Sequence, residues 1–196
     1  MAQERHVDFL ELWQEKMFLG QEFLTWLWLC SEVDNKFAVP GGTEIEVWFE
    51  NSIRLEIGQG QSRKSVTCQS SGQEDGSGWA EAFTAVWRNK KVSNARLRIR
   101  SDEREWALTL PSDTLSPKSV KLLAGADFKQ AESGKAALAG ALLDRTTFLV
   151  ELANLLENLL GLFLGLRLSQ AWETEELPRL KGWVARWAQE GQSGNP

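Results

Sequence analysis

An α+β fold is expected: a small antiparallel sheet packed against several helices, including a long Leu-rich C-terminal helix. Two patterns predict it. Between residues 44 and 110 apolar and polar residues alternate in short runs, while on either side apolar residues return every three or four positions. No internal repeat or linker divides the 196 residues, so residues 1–190 are expected to form a single α+β domain and residues 191–196 a disordered tail.

The first element is a helix over residues 8–30. Phe9, Leu12, Trp13, Leu19, Phe23, Leu27 and Cys30 share one stripe with Gly20 in the remaining slot, and Leu24 and Trp28 widen it. Pro40-Gly41-Gly42 breaks the chain. In residues 44–50, Ile45, Val47 and Phe49 alternate against Glu44, Glu46 and Trp48; Asn51-Ser52 reads as a tight turn into a second strand carrying Ile53, Leu55 and Ile57. A weaker strand is expected at residues 65–70, then an exposed Gly/Ser-rich loop over residues 72–78. Trp79, Phe83, Val86 and Trp87 mark a short amphipathic helix.

Residues 95–100 and 105–110 form the next two strands, joined at Ser101-Asp102-Glu103-Arg104. Leu97 and Ile99 face one way and Arg96, Arg98 and Arg100 the other, with Trp106, Leu108 and Leu110 as inward partners. An edge strand follows at residues 118–123. From 132 to 168 Leu138, Leu142, Leu149, Leu152, Leu156, Leu159, Phe163 and Leu166 trace a nearly heptad stripe. A final helix over residues 174–189 presents Leu180, Trp183, Val184 and Trp187.

Enzyme chemistry finds no foothold, and no catalytic residue, cofactor or metal is expected. The single histidine, His6, precedes the first helix, and neither a CxxC nor an HxxxH pattern occurs. A Ser or Cys nucleophile would lack a nearby base, and there is no GxSxG. Glu44, Glu46 and Glu50 on one strand could hold a metal, but cross-strand ion pairing suits them better. Gly58-Gln-Gly60-Gln-Ser-Arg-Lys-Ser65 lacks the glycine a phosphate loop needs before its Lys-Ser pair and joins two strands, so it reads as a hairpin loop. Cys30 and Cys68 read as reduced core thiols. The opening residues lack a signal peptide's apolar run, and the longest apolar run, residues 159–166, is too short to span a bilayer. A cytoplasmic protein without a membrane role is therefore expected.

Charge distribution is the most informative feature. The chain carries a net charge of −5, yet residues 88–104 hold seven cations and two carboxylates, a local net of +5. Arg88, Lys90, Lys91, Arg96, Arg98 and Arg100, joined by Arg63 and Lys64, form a candidate nucleic-acid-binding stripe that could track phosphates. Pairing of the same arginines with the Glu44–Glu50 face of a neighbouring strand is the simpler reading, and a protein interface is a third. The Leu-rich helix carries Gly161 and Gly165 at a spacing that would admit a close neighbour. Leu152, Leu156, Leu159 and Phe163 are its candidate homodimer seam.

Several segments resemble the C-terminal part of long bacterial proteins of the recombination-associated protein RdgC family. They are Phe18-Leu-Gly-Gln-Glu-Phe-Leu-Thr-Trp-Leu-Trp28, Arg88-Asn-Lys-Lys-Val-Ser-Asn-Ala-Arg-Leu-Arg-Ile-Arg100, Glu105-Trp-Ala-Leu-Thr-Leu110 and the closing Phe163-Leu-Gly-Leu-Arg-Leu168, in matching order. The resemblance implies a non-enzymatic accessory protein of DNA metabolism, a homodimer that binds duplex DNA without base specificity in recombination or replication. The alternative is an assembly module that oligomerises through its Leu-rich helix and has no nucleic-acid role.

Overall fold

The computed structural model describes residues 9–39, 42–57, 64–69, 79–102, 104–124 and 135–193. His6, Arg63, the loop 72–78 and most of Gly58–Ser65 lie outside them. The chain is α+β as expected: among the described residues there are a six-stranded antiparallel sheet and four α-helices.

Helix α1 (Phe9–Val33) opens the chain. Asp34 turns it into the sheet by accepting the Lys36 backbone N–H at 3.1 Å, and the three-residue strand β1 (Lys36–Ala38) follows. Next comes β2 (Glu44–Ile57), one unbroken strand of 14 residues rather than the expected hairpin. Ile45, Val47, Phe49, Ile53 and Leu55 all stay on odd positions, so the alternation never loses phase and nothing requires a reversal. Asn51-Ser52 instead occupies a bulge: Phe49 pairs with Leu97 and Ile53 with Ala95, four residues on β2 against two on its neighbour.

Strand β3 (Lys64–Gln69) pairs with the second half of β2, and β1 with the first. Helix α2 (Ala80–Trp87) then leads to β4 (Lys91–Ser101), β5 (Arg104–Pro111) and β6 (Lys118–Ala124), giving the order β1–β2–β4–β5–β6. The Leu-rich helix is α3 (Lys135–Arg167). A π-turn (Trp172–Glu176) feeds α4 (Leu177–Ser193), which continues through three residues of the expected disordered tail.

The inner face of the sheet and the helices share one core. Val47, Leu97, Ile99 and Leu108 meet α1 residues Phe23, Leu24, Leu27 and Trp28, all buried. Two aromatic clusters tie the helices together. Phe83 stacks on Trp28 at 5.1 Å and receives the edge of Trp183 at 5.0 Å; Phe163 lies 5.5–5.7 Å from Phe23, Trp26 and Trp172. These contacts explain much of the Trp-rich composition: flat rings fill the space between helices crossing one sheet face. Gly20 permits the closest approach, because a Cβ there would collide with the Ser112 carbonyl just beyond β5.

Candidate functional site

Strand β4 alternates as expected, with Val92, Ala95, Leu97 and Ile99 buried and Arg96, Arg98 and Arg100 on the opposite face. That face is not an open guanidinium stripe. Antiparallel register sets Arg100 opposite Glu46 and Arg98 opposite Trp48, with Glu50 and Glu105 within diagonal reach. Arg96 Nε lies 2.9 Å from Glu50, and Arg98 binds Glu50 at 3.0 Å and Glu105 at 3.3 Å. Arg100 pairs with Glu46 and leans over the Trp48 ring at 5.4 Å. Lys36 on β1 closes the lattice at 2.7 Å from Glu44 and 3.8 Å from Glu46.

Four cations therefore meet four carboxylates, so Arg96, Arg98 and Arg100, three of the seven cations in residues 88–104, sit in a lattice with no net charge. Of the readings left open for these arginines, ion pairing within the sheet is the one found: each of Arg96, Arg98 and Arg100 is clasped by a carboxylate of its own fold. The glutamates do so because β2 lies beside β4, an adjacency that the intervening β3 and α2 hide in the sequence. Lys64 contributes backbone to β3, and its side chain, like all of Arg63, lies outside the described residues.

The remaining predicted cations point elsewhere. Asn89, at φ 64°, closes α2 in a left-handed turn; its N–H donates to the Val86 carbonyl (2.8 Å), and that of Lys90 to the Ala85 carbonyl (3.0 Å). The turn leaves Arg88 exposed and Lys90 partly buried, and brings Lys91 to α1. Lys91 Nζ donates to Glu22 Oε1 at 3.0 Å, while burial lowers its pKa from the usual lysine range and Glu22 opposes that fall. Arg167 Nε, at the end of α3, binds the other oxygen of Glu22 at 3.0 Å and stacks on Trp172 at 5.2 Å.

Helix α3 departs from expectation in a similar way. Of the proposed dimer seam, Leu152 is 1% exposed and Leu159 and Phe163 are 0% exposed, packed in the chain's own core, with Leu156 half-buried against it. These four residues hold α3 to its own domain. Ion pairs fasten the same segment near both ends, Glu151 to Arg104 on β5 and Arg167 to Glu22 on α1. Among the described residues Gly161 and Gly165 have no neighbour where a Cβ would stand. The more exposed apolar residues lie elsewhere: Leu142 (55%), Leu143 (68%) and Val150 (54%) face outward, and Leu149 (53%) lines a pocket with Trp106, Val120 and Leu122 of the sheet. By length and composition alone, residues 142–167 would suffice to cross a bilayer, and 22% of their most apolar stretch is buried in the domain.

A carboxylate hub joins α1 to the π-turn. Glu176 accepts from Trp26 Nε1 (3.0 Å), from Arg179 (2.7 and 2.9 Å) and from the Cys30 thiol (3.6 Å). Burial opposes ionisation of Glu176, but these donors outweigh it and hold the carboxyl below its usual range. Burial, and then the Glu176 charge, push the Cys30 thiol up to about 12, so it is a poor nucleophile. Among the described residues no cluster of His, Cys, Asp and Glu could hold a metal ion, and Cys30 and Cys68 are unpaired.

Glu22, Trp172 and Lys181 escape sequence reasoning, since they converge from three remote segments with no shared spacing. Comparison with family models, curated proteins and solved structures finds no match to this chain.

Proposed function

We propose that this protein is a non-enzymatic assembly module that pairs with a second copy of itself through a partly exposed apolar flank of α3. One observation carries the reading: α3 has two apolar faces, and its own core takes one. Viewed down the helix, Leu142, Leu149, Ala153, Leu160 and Leu164 lie on a common flank, roughly 90° around from the buried Leu152–Leu159–Phe163 seam at about 100° per residue; the first three are exposed, and Leu160 and Leu164 are partly buried against the core. The flank extends over about 33 Å at 1.5 Å per residue. Ala153 stands at its middle, with two leucines on either side.

That arrangement suits an antiparallel two-fold pair. Close approach at Ala153 would bring Leu142 of one copy towards Leu164 of the other. A bilayer is a weaker fit for the same surface, because insertion of α3 would withdraw Phe163 from between Phe23, Trp26 and Trp172. Duplex DNA is a weaker fit as well, since the arginines it would need already hold carboxylates.

Light scattering on the full chain tests the proposal. A mass of two chains is expected, unchanged by duplex DNA or anionic lipid vesicles, and Leu142→Lys with Leu149→Lys should return it to one chain without altering the circular dichroism. A single-chain mass at about 100 μM would overturn dimerisation. Salt-sensitive association with DNA would restore the polyanion reading in its place, and co-flotation with vesicles would put a membrane there.

A further inference from the structure

A cleft of about 460 Å³ opens between α1, the end of α2, the start of β4, the π-turn and α4. Its volume is that of an ordinary small-molecule site. The walls are apolar, formed by Trp26, Leu29, Trp172, Leu177, Leu180 and Val184. Trp87 stands at the rim with 56% of its surface exposed.

The lining adds charge of one sign. Lys90, Lys91 and Lys181 line the cleft, and Glu22 is its one acidic lining residue. Both oxygens of Glu22 are occupied, by Lys91 and by Arg167, so one carboxylate serves two cations. Lys90 and Lys181 have no carboxylate partner among the described residues. Glu176, which holds the indole N–H of Trp26, is itself matched by Arg179. Over the lining residues alone, three lysines against one glutamate leave an excess of two positive charges in a chain whose net charge is −5.

We infer that the cleft binds an amphipathic carboxylate of medium size, with its hydrocarbon body against Trp26 and Trp172 and its anionic head at the mouth between Lys90 and Lys181. Each part of the ligand follows from a part of the site. The apolar walls favour a body that leaves water, while a charged head buried among them would lose its hydration without replacement. At the mouth the head keeps water and gains charge-assisted hydrogen bonds from flexible ammonium groups. A neutral molecule of the same shape would forgo that gain. This site is separate from the α3 flank, so either proposal can fail without the other.

The test uses the full chain, with decanoate, below its micellar range, as probe and decan-1-ol, below its solubility limit, as its neutral counterpart. Calorimetry and intrinsic Trp fluorescence, reporting on Trp26, Trp87 and Trp172, should show one saturable decanoate site and at least tenfold weaker decanol binding. Lys90→Glu with Lys181→Glu should weaken decanoate at least tenfold while circular dichroism stays unchanged. Val184→Trp, which fills the cleft, should abolish binding. Absence of saturation by decanoate, equal affinity for decanol, or indifference to the lysine changes in a folded variant would each overturn the assignment.

Discussion

On the inner face of the sheet Val47, Leu97 and Leu108 are at most 1% exposed and covered by helices. On the outer face of the same strands Glu46, Arg98 and Arg100 build a lattice whose arginines remain about half exposed. The backbone ladder is shared, yet the two faces act differently. The inner face contributes stability, because removing apolar area from water is favourable and close packing magnifies any defect. The outer face contributes little, because half-exposed ion pairs gain little beyond what water offers. It does decide what the surface can attract: a patch of cations matched one for one by carboxylates presents no net charge to a polyanion.

Four variants would break or sharpen this contrast. The largest effect is expected at Gly20, where α1 crosses just beyond β5. Gly20→Ala would drive a methyl into the Ser112 carbonyl, which is backbone and cannot swing aside. A loss of about 3 kcal/mol or more is expected in denaturant unfolding, or failure to fold; a loss below about 0.5 kcal/mol would show that the helix–sheet contact is loose.

Next comes Glu32, on the helical side. Its carboxylate accepts from Trp28 Nε1 at 3.1 Å, and burial pushes its pKa from 4.5 up to about 7 against the opposing hydrogen bonds of Trp28 and Trp79. Because the folded pKa is raised, the native state holds a proton that the unfolded chain releases between about pH 4.5 and 7. Stability should therefore fall as pH rises through that window. Glu32→Gln keeps an acceptor for Trp28 and removes the titration. It should stabilise the protein at pH 8 by roughly 1–3 kcal/mol and have little effect at pH 4. Parallel pH–stability curves for the two proteins would refute the burial of this carboxyl.

The smallest effect on stability is expected on the outer face. Arg98→Ala should cost about 1 kcal/mol or less, diminishing with salt. The informative change there concerns binding. Glu46→Gln with Glu50→Gln would release Arg96 and Arg100 from their carboxylates and leave Arg98 with Glu105 alone. Such a variant should acquire salt-sensitive retention on heparin that the natural sequence lacks. If the natural sequence is already retained as strongly, the lattice does not neutralise the arginines.

Much of the fold was legible from local periodicity. Helices α1, α2 and α3, strands β4 and β5 and the inward set Leu97, Ile99, Trp106 and Leu108 are all found where alternation or helical spacing places them. Strand β1, at three residues, is too short to show a period. The turn at Asn51-Ser52 failed because those residue types favour reversals, whereas the unbroken alternation on both sides outweighed them. The candidate sites were less legible. Cations could be counted along residues 88–104, but their partners Glu22, Glu46 and Glu50 lie 38 or more positions earlier.

By itself the sequence determined which residues are apolar, on which face of each element they fall, and how strongly charge is concentrated near β4. These are properties of single segments, governed by the periods of helix and strand. Only the tertiary structure decided which of two apolar faces α3 keeps for its own core, that β2 lies beside β4 and quenches its arginines, and that Lys90 and Lys91 turn towards an apolar cleft. Pairing is a relation between segments: a charge or a leucine stripe acquires its role from whatever the fold sets against it, and neither carries that partner in its own neighbourhood.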